Sequence, residues 1–287
     1  MGLSGCGTEF GQQAISNPSR VSQIPKGVTT GADVRAAPGG ATEGSSKGSI
    51  LPPEQTWSLD TADEFDGPVI DSRLWPSGSG GDVPQRSGVC YDNARSIRFS
   101  NGMMIMDTWD TSSVPSCQGV PGGGFLETPK MFGPGYYEAR VDGGSGWGGF
   151  WSMSSFGDCD PPTKGFEADI FEISPTFAPA GQNLEHYGGY SACHQQGDAY
   201  AQLGSTIGQF DIYGMRWLLS GITFYKNGKM TSRSGNFPYV QGVSSLRSVI
   251  IDIEYPFGIG PDITPGHSQF LPVRVDWFRF YKCTSNC

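Results

Sequence analysis

From Trp57 onward, apolar and polar residues alternate in short runs broken by Gly, Pro, Asn and Asp. That period of two belongs to strands, whose successive side chains point to opposite faces. In Ser96-Ile97-Arg98-Phe99-Ser100-Asn101-Gly102-Met103-Met104-Ile105-Met106, two such runs meet at an Asn-Gly pair. Asn and Gly tolerate the left-handed backbone that a two-residue hairpin turn needs. Ile222-Thr223-Phe224-Tyr225-Lys226 reaches a second pair, Asn227-Gly228, in the same way. Further strands are expected over 135–141, 147–153, 166–173, 208–218, 248–254 and 273–281. No stretch carries a sustained 3.6-residue apolar repeat and none recurs along the chain, which argues against helical bundles, solenoids and propellers. An antiparallel two-sheet sandwich is the expectation. Before Pro53 the chain is rich in Gly, Ser, Ala, Thr and Pro, too poor in large side chains to bury a core. Residues 1–53 are therefore expected to be a flexible tether, and residues 54–287 one folded domain.

Composition sharpens this picture. Gly 43, Pro 21, 12% aromatic and only 16% charged residues suit turns and flat aromatic surfaces better than amphipathic helices. A net charge of −9 leaves no basic footprint and sets nucleic acid aside as a partner. No apolar run reaches the roughly 18 residues of a spanning helix. The seven cysteines form no CxxC pair and do not cluster with the three histidines, so disulfides in an oxidising compartment are expected rather than zinc. Cys6 stands apart from the other six. It follows Leu3-Ser4-Gly5, which is similar to the end of a bacterial lipoprotein signal, although no long apolar stretch precedes it. A secreted or cell-surface monomer is expected, with lipidation at Cys6 left open.

The candidate chemistry concentrates in Gly165-Phe166-Glu167-Ala168-Asp169-Ile170-Phe171-Glu172-Ile173. On a strand, Glu167 and Asp169 share a face while Ala168 takes the other. Glu172, five positions from Glu167, points the wrong way unless one extra residue at Ile170-Phe171 forms a bulge. Three acids in a row raise one another's proton affinity. The apolar neighbours mark the strand as central, where such a row requires a reason. Retaining glycoside hydrolysis supplies one: an ionised carboxylate as nucleophile and a protonated carboxyl as acid, roughly 5 Å apart.

The hexapeptide Glu167-Ala168-Asp169-Ile170-Phe171-Glu172 resembles the bulged E-x-D-x-x-E signature of glycoside hydrolase family 16, whose members include laminarinases, agarases and carrageenases. The resemblance extends to Asp63-Glu64-Phe65-Asp66-Gly67 with Trp75, to 135–140, to Gly149-Phe150-Trp151, to 210–217 and 221–225, and to 275–281. It covers about Trp57 to Lys282 in the family's order. It implies an all-β, concanavalin A-like jelly-roll sandwich with a substrate cleft across its concave sheet. Glu167 would be the nucleophile, Asp169 its electrostatic assistant and Glu172 the acid/base.

Around these acids, Trp147 and Trp151 are candidate platforms for a sugar ring, core packing being the alternative. His186 falls where laminarinase-like relatives carry a histidine that could hydrogen-bond the acid/base, whereas His194 and His267 have no such context. Arg140 is a candidate for holding the nucleophile ionised, or else a strand-edge ion pair. No cofactor is required by the chemistry. The resemblance implies a calcium site on the convex side, built from backbone carbonyls and one carboxylate, with Glu64, Gly102 and Asp276 at the matching positions; an exposed strand residue is the alternative for Asp276. Cys159 and Cys193 bracket the catalytic strand and its following loop, a departure from the family, and are the pair expected first among three disulfides. The polysaccharide partner is expected to be a neutral β-1,3-glucan, because 135–190 holds only Arg140 and Lys164 as Lys or Arg against several acids. An agarase or carrageenase, and a non-catalytic lectin on the same sandwich, are the alternatives.

Overall fold

The computed structural model describes residues 48–76, 83–86, 89–109, 111, 113–117, 122–129, 131–145, 147–153, 166–174, 178–187, 196–197, 201–204, 208–218, 220–233, 248–254 and 271–287. For 83–86, 147, 153, 166, 174, 178–187, 196–197 and 254 the description stops at the backbone. Most of the expected tether, together with Cys6, Cys159, Cys193, His194 and His267, lies outside it.

Among the described residues the strands form two sheets. The first contains β1 (Thr56–Asp63), β4 (Ile97–Ser100), β5 (Met103–Met106), β7 (Gly135–Asp142), β13 (Asp211–Leu218), β14 (Gly221–Lys226), β15 (Lys229–Arg233) and β17 (Val273–Ser285). The second contains β2 (Val83–Arg86), β3 (Val89–Tyr91), β6 (Gly122–Glu127), β8 (Trp147–Met153), β9 (Phe166–Ser174), β10 (Ala178–Tyr187), β11 (Gln196–Gly197), β12 (Ala201–Gln202) and β16 (Ser248–Glu254). Their orders are β15-β14-β13-β7-β17-β5-β4, with β1 also on β17, and β11-β10-β9-β8-β16-β6-β3-β2, with β12 also on β10. All neighbours run antiparallel except β3 and β6. The chain is an antiparallel β-sandwich of jelly-roll type, and no described helix is long and apolar enough to cross a membrane.

Both Asn-Gly turns form. Asn101 and Gly102 take φ of 55° and 70°, Asn227 and Gly228 take 51° and 73°, and the flanking strands pair directly across each turn. The interior then follows from alternation. Tyr137, Ala139 and Val141 of β7 and Phe278 and Phe280 of β17 face Phe150 of β8 and Ala168, Ile170, Phe171 and Ile173 of β9 in one buried cluster. Aromatic contacts cross between the sheets, Phe171 to Tyr213 at 4.5 Å and Phe150 to Phe278 at 6.0 Å. Among the described residues two disulfides are present, Cys90–Cys117 and Cys283–Cys287.

The folded unit begins before the expected boundary at 53. Pro52 is buried, and Leu51 and Trp57 pack on the tyrosines 136, 225 and 281 of the first sheet's outer face. The backbone N–H of Ile50 donates to Glu138 Oε1 at 2.9 Å, and the Trp57 indole donates to the Pro52 carbonyl. A few apolar residues and one buried acceptor are enough to dock a segment whose composition reads as linker. Glu138 lies fully buried under this strap. Burial pushes its carboxyl up to about 7, even though Ile50, Ser49 and the Arg279 charge favour ionisation.

The sign of the resulting pH dependence follows. Unfolded, Glu138 titrates near 4.5; folded, it keeps its proton to about 7. Between those values the folded state binds more protons, so stability falls as pH rises through this window, by at most about 3 kcal/mol. The melting temperature should therefore decline from pH 5 to 7.5 more steeply in the native protein than in Glu138→Gln. Parallel curves would refute the buried, protonated state.

Candidate active site

β9 is the strand on which the site is built. Against β8, Phe171 pairs with Phe150 but Asp169 pairs with Trp151, so β9 spends two residues where β8 spends one. Against β10, Glu172 and Asp169 pair with Gln182 and Leu184, again one residue longer on β9. Ile170 is the extra residue. Because of it, Ile170 and Phe171 both enter the core in succession, and Ala168 and Ile173 follow suit. Glu167, Asp169 and Glu172 are left together on the outer face, the first two buried and the third half-buried. Without the bulge, Glu172 would enter the core.

The neighbouring strands complete the face. Across β8 and β16 one row reads Glu172, Gly149, Asp252 and the next reads Asp169, Trp151, Ile250. Phe125 and Glu127 of β6 extend these rows, and Ser248 Oγ donates to Glu127 Oε1 at 3.0 Å. Trp151 is partly buried against Val89, Tyr91, Phe125 and Ile250, an apolar patch on this outer face separate from the main core. The face therefore combines a row of acids with an aromatic wall. Among its described side chains on β3, β6, β8, β9 and β16, none is Lys or Arg.

The remaining expected residues divide. Trp147 opens β8 across from Glu254, on the same sheet as the acids, and its description stops at the backbone. His186 takes the register position across from Glu167, while Glu172 lies across from Gln182. The backbone register thus puts His186 nearer Glu167 than Glu172: β9 and β10 run antiparallel, so distance from Glu172 along the chain carries His186 back toward the start of β9. Arg140 is corrected. It sits on β7 of the other sheet, on the side facing away from the core, where Nη1 donates to Asp276 Oδ2 at 2.7 Å and the guanidinium lies 4.5 Å from the Phe210 ring. Sheets in a sandwich stand about 10 Å apart, so Arg140 cannot reach Glu167.

The same ion pairs bear on the expected calcium site. Asp276 is engaged by Arg140, and both oxygens of Glu64 accept from Arg279, at 2.8 and 2.9 Å. Gly102 lies in the hairpin turn. A hard cation takes backbone carbonyls and waters as well as carboxylates, and both of these carboxylates are paired with guanidinium groups. Among the described residues no group of three His, Cys, Asp or Glu gathers that could hold a metal ion.

Sequence reasoning missed Asp252 and Phe125. Asp252 lies on the strand expected over 248–254, but nothing in that run indicates which face meets the acids. Phe125 belongs to Gly122-Gly123-Gly124-Phe125, whose glycines read as loop although they form β6. They are glycines because the sheet is tight here: a Cβ on Gly123 would stand 2.3 Å from the Ile253 carbonyl oxygen.

No family model matches the chain, and no curated protein matches its sequence. Solved structures match its fold. A laminarinase from Rhodothermus marinus superposes with a TM-score of 0.62 at 18% identity, over 80% of this chain and 99% of its own. The kappa-carrageenase from Zobellia galactanivorans gives 0.65 at 17%, over 81% and 97%. A non-specific endo-β-1,3(4)-glucanase of glycoside hydrolase family 16 gives 0.63 at 21%, over 82% and 96%. At these identities the likeness establishes the shared jelly-roll sandwich.

The placement of Arg140 predicts the behaviour of its variants. Arg140→Gln removes a charged partner of the buried Asp276 carboxylate and should lower stability by about 2–4 kcal/mol, read as a fall in melting temperature. Below that temperature the turnover of any glycan substrate should stay within about twofold of the native rate, given the sandwich's thickness between Arg140 and the acids. A large kinetic loss with unchanged stability would return Arg140 to the site.

Proposed function

We propose that the chain is a retaining, endo-acting glycoside hydrolase of family 16, with Glu167 as nucleophile and Glu172 as acid/base. The bulge at Ile170 carries this reading: it sets three carboxylates on one face of a central strand whose other face is wholly apolar. The register allows about four strand steps between Glu167 and Glu172, so their Cα atoms stand roughly 13 Å apart. Glutamate side chains leaning toward each other along the strand narrow that gap toward the roughly 5 Å a double displacement uses. The neighbours named as laminarinase, carrageenase and endo-glucanase, matched along nearly their whole length, support the same reading.

In the first step the Glu167 carboxylate attacks the anomeric carbon from one side of the ring. Glu172 gives its proton to the glycosidic oxygen as that bond breaks, and the aglycone leaves. A glycosyl ester on Glu167 results. Glu172, now ionised, takes a proton from water; the water oxygen attacks the anomeric carbon and releases Glu167, with configuration retained overall. Asp169 sits between the two and across from Trp151.

The substrate is a neutral β-glucan of the laminarin type. Glu127, Asp252 and the three acids of β9 share a face whose described side chains include no cation, and a sulfated chain would be repelled there. The disulfides fit an extracellular site of action.

Glu167→Gln and Glu172→Gln should each lower kcat on laminarin by roughly a thousandfold or more with the melting temperature nearly unchanged. Azide added to Glu167→Gly should yield a glycosyl azide of inverted configuration. Native-like turnover in either glutamine variant would sink the assignment. Laminarin hydrolysis should be nearly flat from 20 to 500 mM salt, on the order of the range over which exposed ion pairs are screened; cleavage of carrageenan but not laminarin would reverse the choice of substrate.

A further inference from the structure

Asp252 lies two strands from Glu172 with only Gly149 between them. Gly149 leaves a gap in the face, and the Trp151 side chain fills it. A Cβ at position 149 would stand 2.9 Å from Trp151 Cδ1 and 3.0 Å from Asp252 Oδ1. Across this gap the indole Nε1–H donates to Asp252 Oδ2 at 3.2 Å. Phe125, beside Asp252 on β6, meets the indole edge to face with centroids 6.4 Å apart. Phe125 is in turn anchored by the Asn93 side chain, which accepts from its N–H at 2.8 Å and donates to its carbonyl at 2.7 Å.

Asp252 is buried beside an apolar patch. A carboxylate there costs desolvation that an apolar residue would avoid. What it supplies is direction, because a charge-assisted acceptor fixes where the indole N–H must point. We propose that Asp252 is a positioning residue: by accepting the Trp151 N–H across Gly149 it holds the indole at one angle beside Glu172 and so sets the affinity for the sugar ring next to the scissile bond. The proposal rests on the hydrolase reading above and deepens it. In this role Asp252 acts on the sugar through Trp151.

The test combines an indole N–H resonance with kinetics on laminarin oligosaccharides. In 15N-labelled protein the Trp151 resonance is assigned by its loss in Trp151→Phe. Asp252→Ala should shift that resonance upfield and raise KM about tenfold, the order expected for losing a hydrogen bond to a charged group, with kcat within about threefold. Asp252→Asn, whose Oδ1 can still accept, should recover most of the affinity. Adding Asp252→Ala to Trp151→Phe should cost nothing further, because Phe has already removed the donor. An unmoved resonance in Asp252→Ala, an asparagine variant as weak as the alanine, or losses that multiply in the double variant would each overturn the role. Should the native protein cleave no glycan, the hydrolase reading fails, and the sugar-affinity part of the proposal with it; the resonance still decides whether Asp252 holds Trp151.

Discussion

Between Asp169 and Phe171, β9 must fit one residue more than either of its neighbours. That constraint at Ile170 organises the face. A regular strand would carry Glu172 into the interior and turn Phe171 and Ile173 out to solvent. Burying the carboxylate would cost several kcal/mol, and exposing two large apolar side chains about 1.5–3 kcal/mol each. The bulge avoids both penalties for the loss of one ladder position. Core packing and the gathering of acids are therefore the same event: the contacts that place Ile170 and Phe171 side by side in the core also set Glu172 on the face of Glu167 and Asp169.

The two outer faces of the sandwich have opposite characters. On the first sheet, acids are answered by arginines: Glu64 by Arg279, Asp276 by Arg140, and Asp142 by Arg274. Tyrosines and the strap from Ser49 to Trp57 cover much of the remainder. On the second sheet the described acids face indole, phenyl and glycine instead. A row of carboxylates on one face is unfavourable for folding, and proteins keep such rows where chemistry uses them. The arginine-paired acids of one face and the absence of Lys and Arg among the described side chains of β3, β6, β8, β9 and β16 on the other distinguish the two faces.

Much of the sandwich was legible in the sequence because its signals are local. The Asn-Gly pairs fixed two hairpins, and alternation delimited β8 and β16 to the residue and β9 to within one. The bulge itself could be read from the spacing of the three acids. What failed depended on which strands meet. Arg140 lies on a strand separated by four residues from β8, which precedes the acids, yet that strand belongs to the other sheet. His186 takes the register position across from Glu167 rather than Glu172, because antiparallel pairing reverses order. β6 was overlooked since its three glycines reflect close approach of neighbouring atoms, a reason visible only once β16 and Trp109 are in place. Asp252 carried no signal at all until Gly149 was seen beside it.

The central claim is that Glu167 forms a bond to the sugar. A 2-deoxy-2-fluoro laminarioligosaccharide with an activated leaving group slows breakdown of a glycosyl ester more than its formation, so the intermediate accumulates. Digestion and mass spectrometry of the trapped protein should find the added sugar on the peptide bearing Glu167, one per chain, and none in Glu167→Gln. A label on Glu172 or Asp169, or no label while the same compound is hydrolysed with inverted configuration, would contradict the account.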